Sequence, residues 1–210
     1  FDVCIKEIEN FQKKEFKKIK NFFVIKENEI KLEGKKFVPC VLFEKFNLSK
    51  IRKNLDKIIL CNAEEEAYKH NEVDIIVSED ILEWKLLKEM EKNYVSYAFN
   101  FSQLLNLSQN QILKNISIMQ KNFKLLKKYN VNYVIGSFAK NIFEFKTSFA
   151  LLSYGKSIGM SDEEARNAIT KNYEKILNKF KKRNDKFYIT EGFRIIKLNN
   201  EFKKKMYGYY

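Results

Sequence analysis

The chain has 210 residues, with 40 Lys+Arg against 27 Asp+Glu and a formal net charge of +13 at pH 7. That length holds one full domain with a sizeable core and excludes two large ones. Hydrophobic residues at 45% and aromatic ones at 15% exclude a disordered tail. No apolar run approaches the roughly 18 residues of a membrane-spanning helix.

In chain order, residues 2–5 alternate into an apolar strand and residues 11–20 form a basic amphipathic helix. Residues 22–25 and 37–43 are predicted strands around a turn at Gly34, and the polar stretch 28–36 is an irregular insertion. Residues 57–61 are a strand, and Asn62 with Glu65 has the spacing of a capping box for a short helix. Residues 73–77 are the next strand, with Ser78 capping a helix that reaches about Glu91. Residues 94–100 are a strand, after which Ser108 and Gln111 open a helix that runs to Tyr129. Ile112, Ile116, Met119, Phe123 and Leu126 form its core stripe, while Lys114, Lys121, Lys124 and Lys128 fall largely on the other side. Residues 133–137 are a strand ending in a Gly136-Ser137 turn. Two helices follow, the second running from the Ser161-Glu164 capping box to Lys182, and two short strands at 187–190 and 193–197 flank Gly192.

Strands alternating with helices of this length favour right-handed βαβ units and a parallel sheet. Seven to eight strands in this length suit an α/β fold of the TIM-like (β/α) barrel type, regular or distorted, as a single domain over 1–210 with a short C-terminal extension. An open doubly wound sheet is the second architecture the pattern permits, although no G-x-G-x-x-G follows any strand.

The charge is almost entirely lysine, since Arg occurs only at positions 52, 166, 183 and 194. Such a chain can reflect biased composition, yet a strongly basic domain favours a polyanion. Few Arg forks imply recognition of shape and backbone more than of base edges. Cys4, Cys40 and Cys61 lie in separate apolar runs with no C-x-x-C, as buried thiols of a reducing compartment do. No secretory leader is visible at the start, so a cytoplasmic protein is expected. Gly155-Lys156-Ser157 looks like the tail of a phosphate loop, but Ala150 stands where the earlier glycine is needed and the segment reads as helix. His70 is the only histidine and sits at a helix C-terminus, where positive charge is favoured. The acidic runs Glu64-Glu65-Glu66 and Asp162-Glu163-Glu164 suit helix first turns, so neither a metal cluster nor a catalytic constellation is expected.

From Tyr97 onward four motifs occur in order: Tyr97-Ala98-Phe99-Asn100; Leu125-Leu126-Lys127-Lys128-Tyr129; Tyr133-Val134-Ile135-Gly136-Ser137-Phe138-Ala139-Lys140; and Gly159-Met160. The ordered set resembles the ribonuclease P protein component 3 family, the archaeal and eukaryotic barrel subunit of the tRNA-processing ribonucleoprotein. Asp162-Glu163-Glu164-Ala165, Ile176-Leu177, Tyr188-Ile189, Gly192-Phe193-Arg194 and the opening Phe1-Asp2-Val3 are similar to the same pattern, while the resemblance is weak between about residues 11 and 66. The chain departs from it at Ala98, where many members are acidic, and at Gln120, Lys121 and Lys146, where arginines are usual.

The resemblance implies a non-catalytic, RNA-binding subunit that supports a catalytic RNA in removing the 5′ leader of precursor tRNA. It implies no cofactor in the protein, Mg²⁺ on the RNA subunit, and partnership with ribonuclease P RNA, precursor tRNA, the component 2 protein and other subunits, without a membrane. Lys121, Lys124, Lys128, Ser137, Lys140, Lys146 and Arg183 are the candidates for RNA contact that follow from it. The alternative is an independent barrel metallo-phosphoesterase or nuclease, which demands metal ligands within the chain.

Overall fold

The structure, a computed structural model, describes residues 2–4, 21–24, 36–139, 144–185, 188–190 and 193–194. The strands are β1 (Asp2–Cys4), β2 (Asn21–Val24), β3 (Lys36–Phe43), β4 (Ile58–Asn62), β5 (Ile75–Val77), β6 (Ser96–Asn100) and β7 (Tyr133–Gly136). They pair in sequence order, every neighbour parallel. The helices are α1 (Leu48–Arg52), α2 (Trp84–Lys92), α3 (Gln109–Lys128), α4 (Ser148–Ser157), α5 (Asp162–Ala168) and α6 (Lys171–Asn184). A short antiparallel pair, β8 (Tyr188–Thr190) with β9 (Phe193–Arg194), follows.

A parallel sheet that advances one strand at a time without reversal has no switch point and winds as barrels do. Its ends approach each other, Cα atoms of β1 and β7 coming within 8 Å. Among the described residues no ladder joins them, so the expected barrel is present in strand order and not as a closed ring.

Strand periodicity divides the core in two. Ile58, Leu60, Ile75, Val77, Ala98 and Val134 face the interior of the curved sheet. The alternate residues Ile59, Cys61, Ile76, Tyr97, Phe99 and Ile135 meet Leu87 and Met90 of α2, Met119, Phe123 and Leu126 of α3, and Leu151 and Tyr154 of α4. Both faces are covered, which is why the central strands are almost continuously apolar. Cys40 and Cys61 are buried, the Cys40 thiol donating to the Val38 carbonyl at 3.4 Å.

Helix α6 closes the end from which the strands start. Tyr173 and Ile176 enter the interior cluster, and the Tyr173 hydroxyl donates to the Ile135 carbonyl at 2.8 Å. Asp74, immediately before β5 and fully buried, accepts both Arg183 terminal nitrogens at 2.9 Å, a bidentate pair. Its Oδ2 also accepts the Ile59 N–H at 2.9 Å, which ties the pair into β4. Arg183 donates further to the carbonyls of Leu55, Lys57 and Glu72. Lys179 donates to the carbonyls of Val73, Asn93 and Tyr94, with its Nζ 3.7 Å from Asp74.

Three local expectations are corrected. Asn62 ends β4, paired with Val77, and donates weakly to the Glu44 carbonyl instead of capping a helix; the next turn is 3₁₀, over Glu65–Lys69. Ser78 holds a tight loop by accepting the Asp80 N–H, and α2 begins only at Trp84. The helix expected to reach Lys182 from Ser161 is broken at Ile169-Thr170 into α5 and α6, because α6 turns across the strand starts. The expected helix at 11–20 and the insertion expected over 28–36 lie outside the described residues, apart from Lys36, which begins β3.

Removing one partner of a buried, bidentate ion pair strands the other charge without solvent. Asp74→Ala is therefore expected to lower unfolding stability by about 3–5 kcal/mol, read as a reduced midpoint in urea denaturation. A midpoint equal to that of the unaltered chain contradicts the closure described for α6.

Candidate nucleic-acid interface

Helix α3 starts where Gln111 Oε1 accepts the Ser108 N–H at 3.0 Å and its hydroxyl at 2.9 Å, as the capping spacing predicts. Its orientation is set by Asn122, fully buried in the apolar stripe. Asn122 Oδ1 accepts the Leu82 N–H at 2.9 Å; Nδ2 donates to the Asp80 carbonyl at 2.9 Å and to the Tyr97 hydroxyl at 3.3 Å. Tyr97 in turn donates to the Ser78 carbonyl, and burial pushes its phenol up to about 12, so it remains a donor at neutral pH. On the other flank Gln120 donates to the Ser157 carbonyl at 3.0 Å, and Lys127 pairs with Glu164 of α5 at 2.5 Å. These contacts hold one face of α3 outward.

That face is basic, and among the described residues its one ion pair is Lys127 with Glu164. The helix carries Lys114, Lys121, Lys124, Lys127 and Lys128 and not one carboxylate of its own. Lys127 and Lys128 lie in the last turn, where the helix dipole favours cations. Lys114, Lys121 and Lys124 have no such reason, and like charges three or four residues apart cost an isolated helix about 0.2–0.5 kcal/mol per pair. Lys121, Lys124 and Lys128 are all exposed, and the Lys128 ammonium stands 5.7 Å from the Tyr129 ring. Gln120, Phe123, Lys124, Lys127, Lys128, Ile158 and Gly159 line an open groove of about 690 Å³ along this face. Gly159 has a φ of +93° and faces open space, so the α4–α5 turn leaves the groove wall low.

The remaining predicted residues are placed differently. Ser137 is fully buried at the end of β7, so its hydroxyl faces the interior and not the surface. Arg183 is turned into the fold by Asp74 and three carbonyls, with its side chain 15% exposed. Lys146 is half-buried with its ammonium 5.2 Å from the Phe101 ring. Lys140 lies outside the described residues. The structure thus brings together Lys121, Lys124 and Lys128 on one helix, while Ser137 and Arg183 are turned into the fold. Asn122 was missed; the signal for it was an amide set within an otherwise apolar helical stripe.

The barrel mouth, where enzymes of this architecture place their chemistry, is a cavity of about 300 Å³ lined by Asn62, Ser78, Glu79, Asp80, Asn100, Gln103 and Phe138 among others. Among the described residues no group of three or more His, Cys, Asp or Glu side chains stands together as metal ligands do. His70 lies elsewhere, stacked on Phe46 at 5.1 Å and 3.7 Å from Glu72. Gly155, Lys156 and Ser157 are the last residues of α4, a helix C-terminus and not a phosphate cradle.

Replacing Lys121, Lys124 and Lys128 together by Gln is expected to change unfolding stability by no more than about 0.5 kcal/mol in urea titration, since among the described residues their one contact is the exposed Lys128 ammonium over the Tyr129 ring. A larger loss assigns them a structural role. The Lys127 ammonium, helped by the Ser161 N–H and hydroxyl, holds the Glu164 carboxyl below its usual range. Its contribution to stability is present above the unfolded value of about 4.3 and is lost as pH falls through the folded value. Glu164→Gln keeps the cap and removes the charge. Its deficit in melting temperature against the unaltered chain is expected near pH 6 and should shrink as pH falls below about 4.3; a constant deficit refutes the charge pairing.

Among known proteins, the chain is 25% identical over 191 residues to the ribonuclease P protein component 3 of Methanosarcina barkeri, a match covering 87% of this chain and 74% of that protein. It is 29% identical over 110 residues to the protein of the same description from Methanococcoides burtonii, covering 52% of this chain and 45% of that one. One chain in the cryo-EM structure of archaeal ribonuclease P with mature tRNA shares the fold, with a TM-score of 0.75, 19% identity and coverage of 94% of this chain and 99% of that one. The family model described as RNase P subunit p30 matches residues 50–185, a stretch that includes α3, its groove and the α6 closure. The chain therefore belongs to the RNase P subunit p30 family.

Proposed function

We propose that this chain is a non-catalytic, RNA-binding protein subunit of ribonuclease P. It supports the catalytic RNA in removing the 5′ leader from precursor tRNA. The observation that carries this reading is the acid-free lysine face of α3, held outward by Asn122 and Gln120 and bordered by an open groove. Lysines presented this way act as point charges that replace condensed counterions on a phosphate backbone. They suit a partner recognised by shape more than by base sequence. Family membership supplies the identity of that partner, which charge alone does not.

In this reading Lys121, Lys124 and Lys128 contact RNA, with Lys140 and Lys146 as further contacts, while Ser137 and Arg183 serve the fold. The chain works in the cytoplasm beside ribonuclease P RNA, the component 2 protein and the other protein subunits. Mg²⁺ acts on the RNA, where it activates the attacking water. Among the described residues no helix is long and apolar enough to cross a membrane. The metallo-phosphoesterase alternative draws no support from the barrel mouth, whose polar lining is mostly amide and hydroxyl.

Binding of ribonuclease P RNA, followed by fluorescence anisotropy at several salt concentrations, tests the lysine face. Lys121→Ala with Lys124→Ala should weaken binding and reduce the slope of log K against log salt by about 2. An unchanged slope places these lysines on an ordinary solvated surface. RNA hydrolysis by the purified chain alone, abolished by a chelator, would overturn the non-catalytic assignment.

A further inference from the structure

Trp84 is the only tryptophan in the chain, and it is 50% exposed at the first position of α2. Packing does not require it there, because Leu87 and Met90 fill the buried face of that helix. The ammonium groups of Lys88 and Lys85 stand 5.1 and 5.9 Å from its ring centroid. Helical spacing places Lys88 and Lys92 one and two turns beyond Trp84 along the same exposed face. Ile81, 49% exposed, precedes it in the loop.

The position of this cluster is fixed relative to the lysines of α3. Asn122 of α3 binds the Asp80 carbonyl and the Leu82 N–H, so the loop that delivers Trp84 is fastened to the middle of that helix. Lys121 is the adjacent residue on α3. The aromatic cluster and the acid-free lysine face are therefore on neighbouring helices joined by one buried amide.

We infer that Trp84, with Lys85 and Lys88, binds an unpaired nucleotide of RNA. This rests on the RNA-subunit reading above and adds a class of contact that phosphate neutralisation does not provide. Glu83 and Glu89 adjoin this cluster in sequence, but the groups over the ring are the two ammoniums, and together they make the two parts of a single-strand site: a π-face on which a base stacks, and cations that follow the flanking phosphates. On binding, the base takes the ring face and the ammonium groups move from the ring to the phosphates. Both exchanges favour the complex, since an exposed cation–π contact is weaker than base stacking and a phosphate is a stronger anion than a ring face. Duplex RNA keeps its bases stacked on one another and offers none to the indole. The site thus selects looped or single-stranded segments, whereas the α3 lysines engage backbone of either kind.

With a single tryptophan, intrinsic emission reports this site alone. The full chain is titrated with a labelled single-stranded oligouridylate of about 12 nucleotides and, separately, with a blunt RNA duplex of equal length, following anisotropy for binding and tryptophan emission for stacking. The expected result is quenching by the single strand over the same concentration range as the anisotropy change, with little quenching by the duplex. Trp84→Leu should weaken single-strand binding roughly fivefold or more, Trp84→Phe should retain most of it, and duplex binding should be unaffected by either. Binding seen by anisotropy with unmoved emission, or an unweakened Trp84→Leu variant, overturns the stacking site while leaving the RNA-subunit reading intact, and points to a protein partner for this patch. Absence of binding to any RNA overturns both.

Discussion

One buried carboxylate organises this molecule. Asp74 stands at the start of β5, takes a backbone N–H from β4, and receives the guanidinium of Arg183 and the nearby ammonium of Lys179 from α6. A parallel sheet wound in strand order leaves its interior open at the end where the strands begin. There α6 inserts Tyr173 and Ile176 among the inward residues of β4 to β7, and Asp74 fixes its angle. Replacing the ion pair with apolar groups need not cost stability, but leaving half of it does, so the pair works chiefly by specifying one docking of α6.

This constraint divides the positive charge by task. The cations of α6 do not all face outward, since Lys179 and Arg183 turn inward to carbonyls and Asp74. The lysines of α3 are left outward because Asn122 and Gln120 fix that helix from both sides. A net charge of +13 is therefore not one surface property. Part of it is structural, part is local pairing such as Lys127 with Glu164 and Lys156 with Asp162, and part is available to a polyanion.

Strand positions were legible because strands buried on both faces read as short apolar runs, and the Ser108 and Ser161 boxes marked true helix starts. The same capping logic misplaced Asn62 and Ser78, since cap chemistry competes with loop chemistry and Asn62 was already held in the sheet by its pairing with Val77. No Gly or Pro marks the break between α5 and α6; it comes from the tertiary demand that α6 cross the strand starts. Arg183, a candidate for RNA contact by resemblance, is instead held inside the fold by Asp74. A clue lay in its type, since arginine is scarce in this chain and its planar fork suits a buried carboxylate in a way lysine does not. Lys121, Lys124 and Lys128 were legible from helical spacing, but their isolation from any carboxylate in α3 only has meaning once the helix is placed.

Reconstitution decides whether this protein serves a catalytic RNA instead of cutting RNA itself. Ribonuclease P RNA is assembled with its full protein set, with and without this chain, and precursor-tRNA cleavage is measured at moderate Mg²⁺. Cleavage is expected to fall when the chain is left out, to be restored by the unaltered chain, and to be restored only in part by a chain lacking Lys121, Lys124 and Lys128. Equal cleavage with and without the chain would contradict that role.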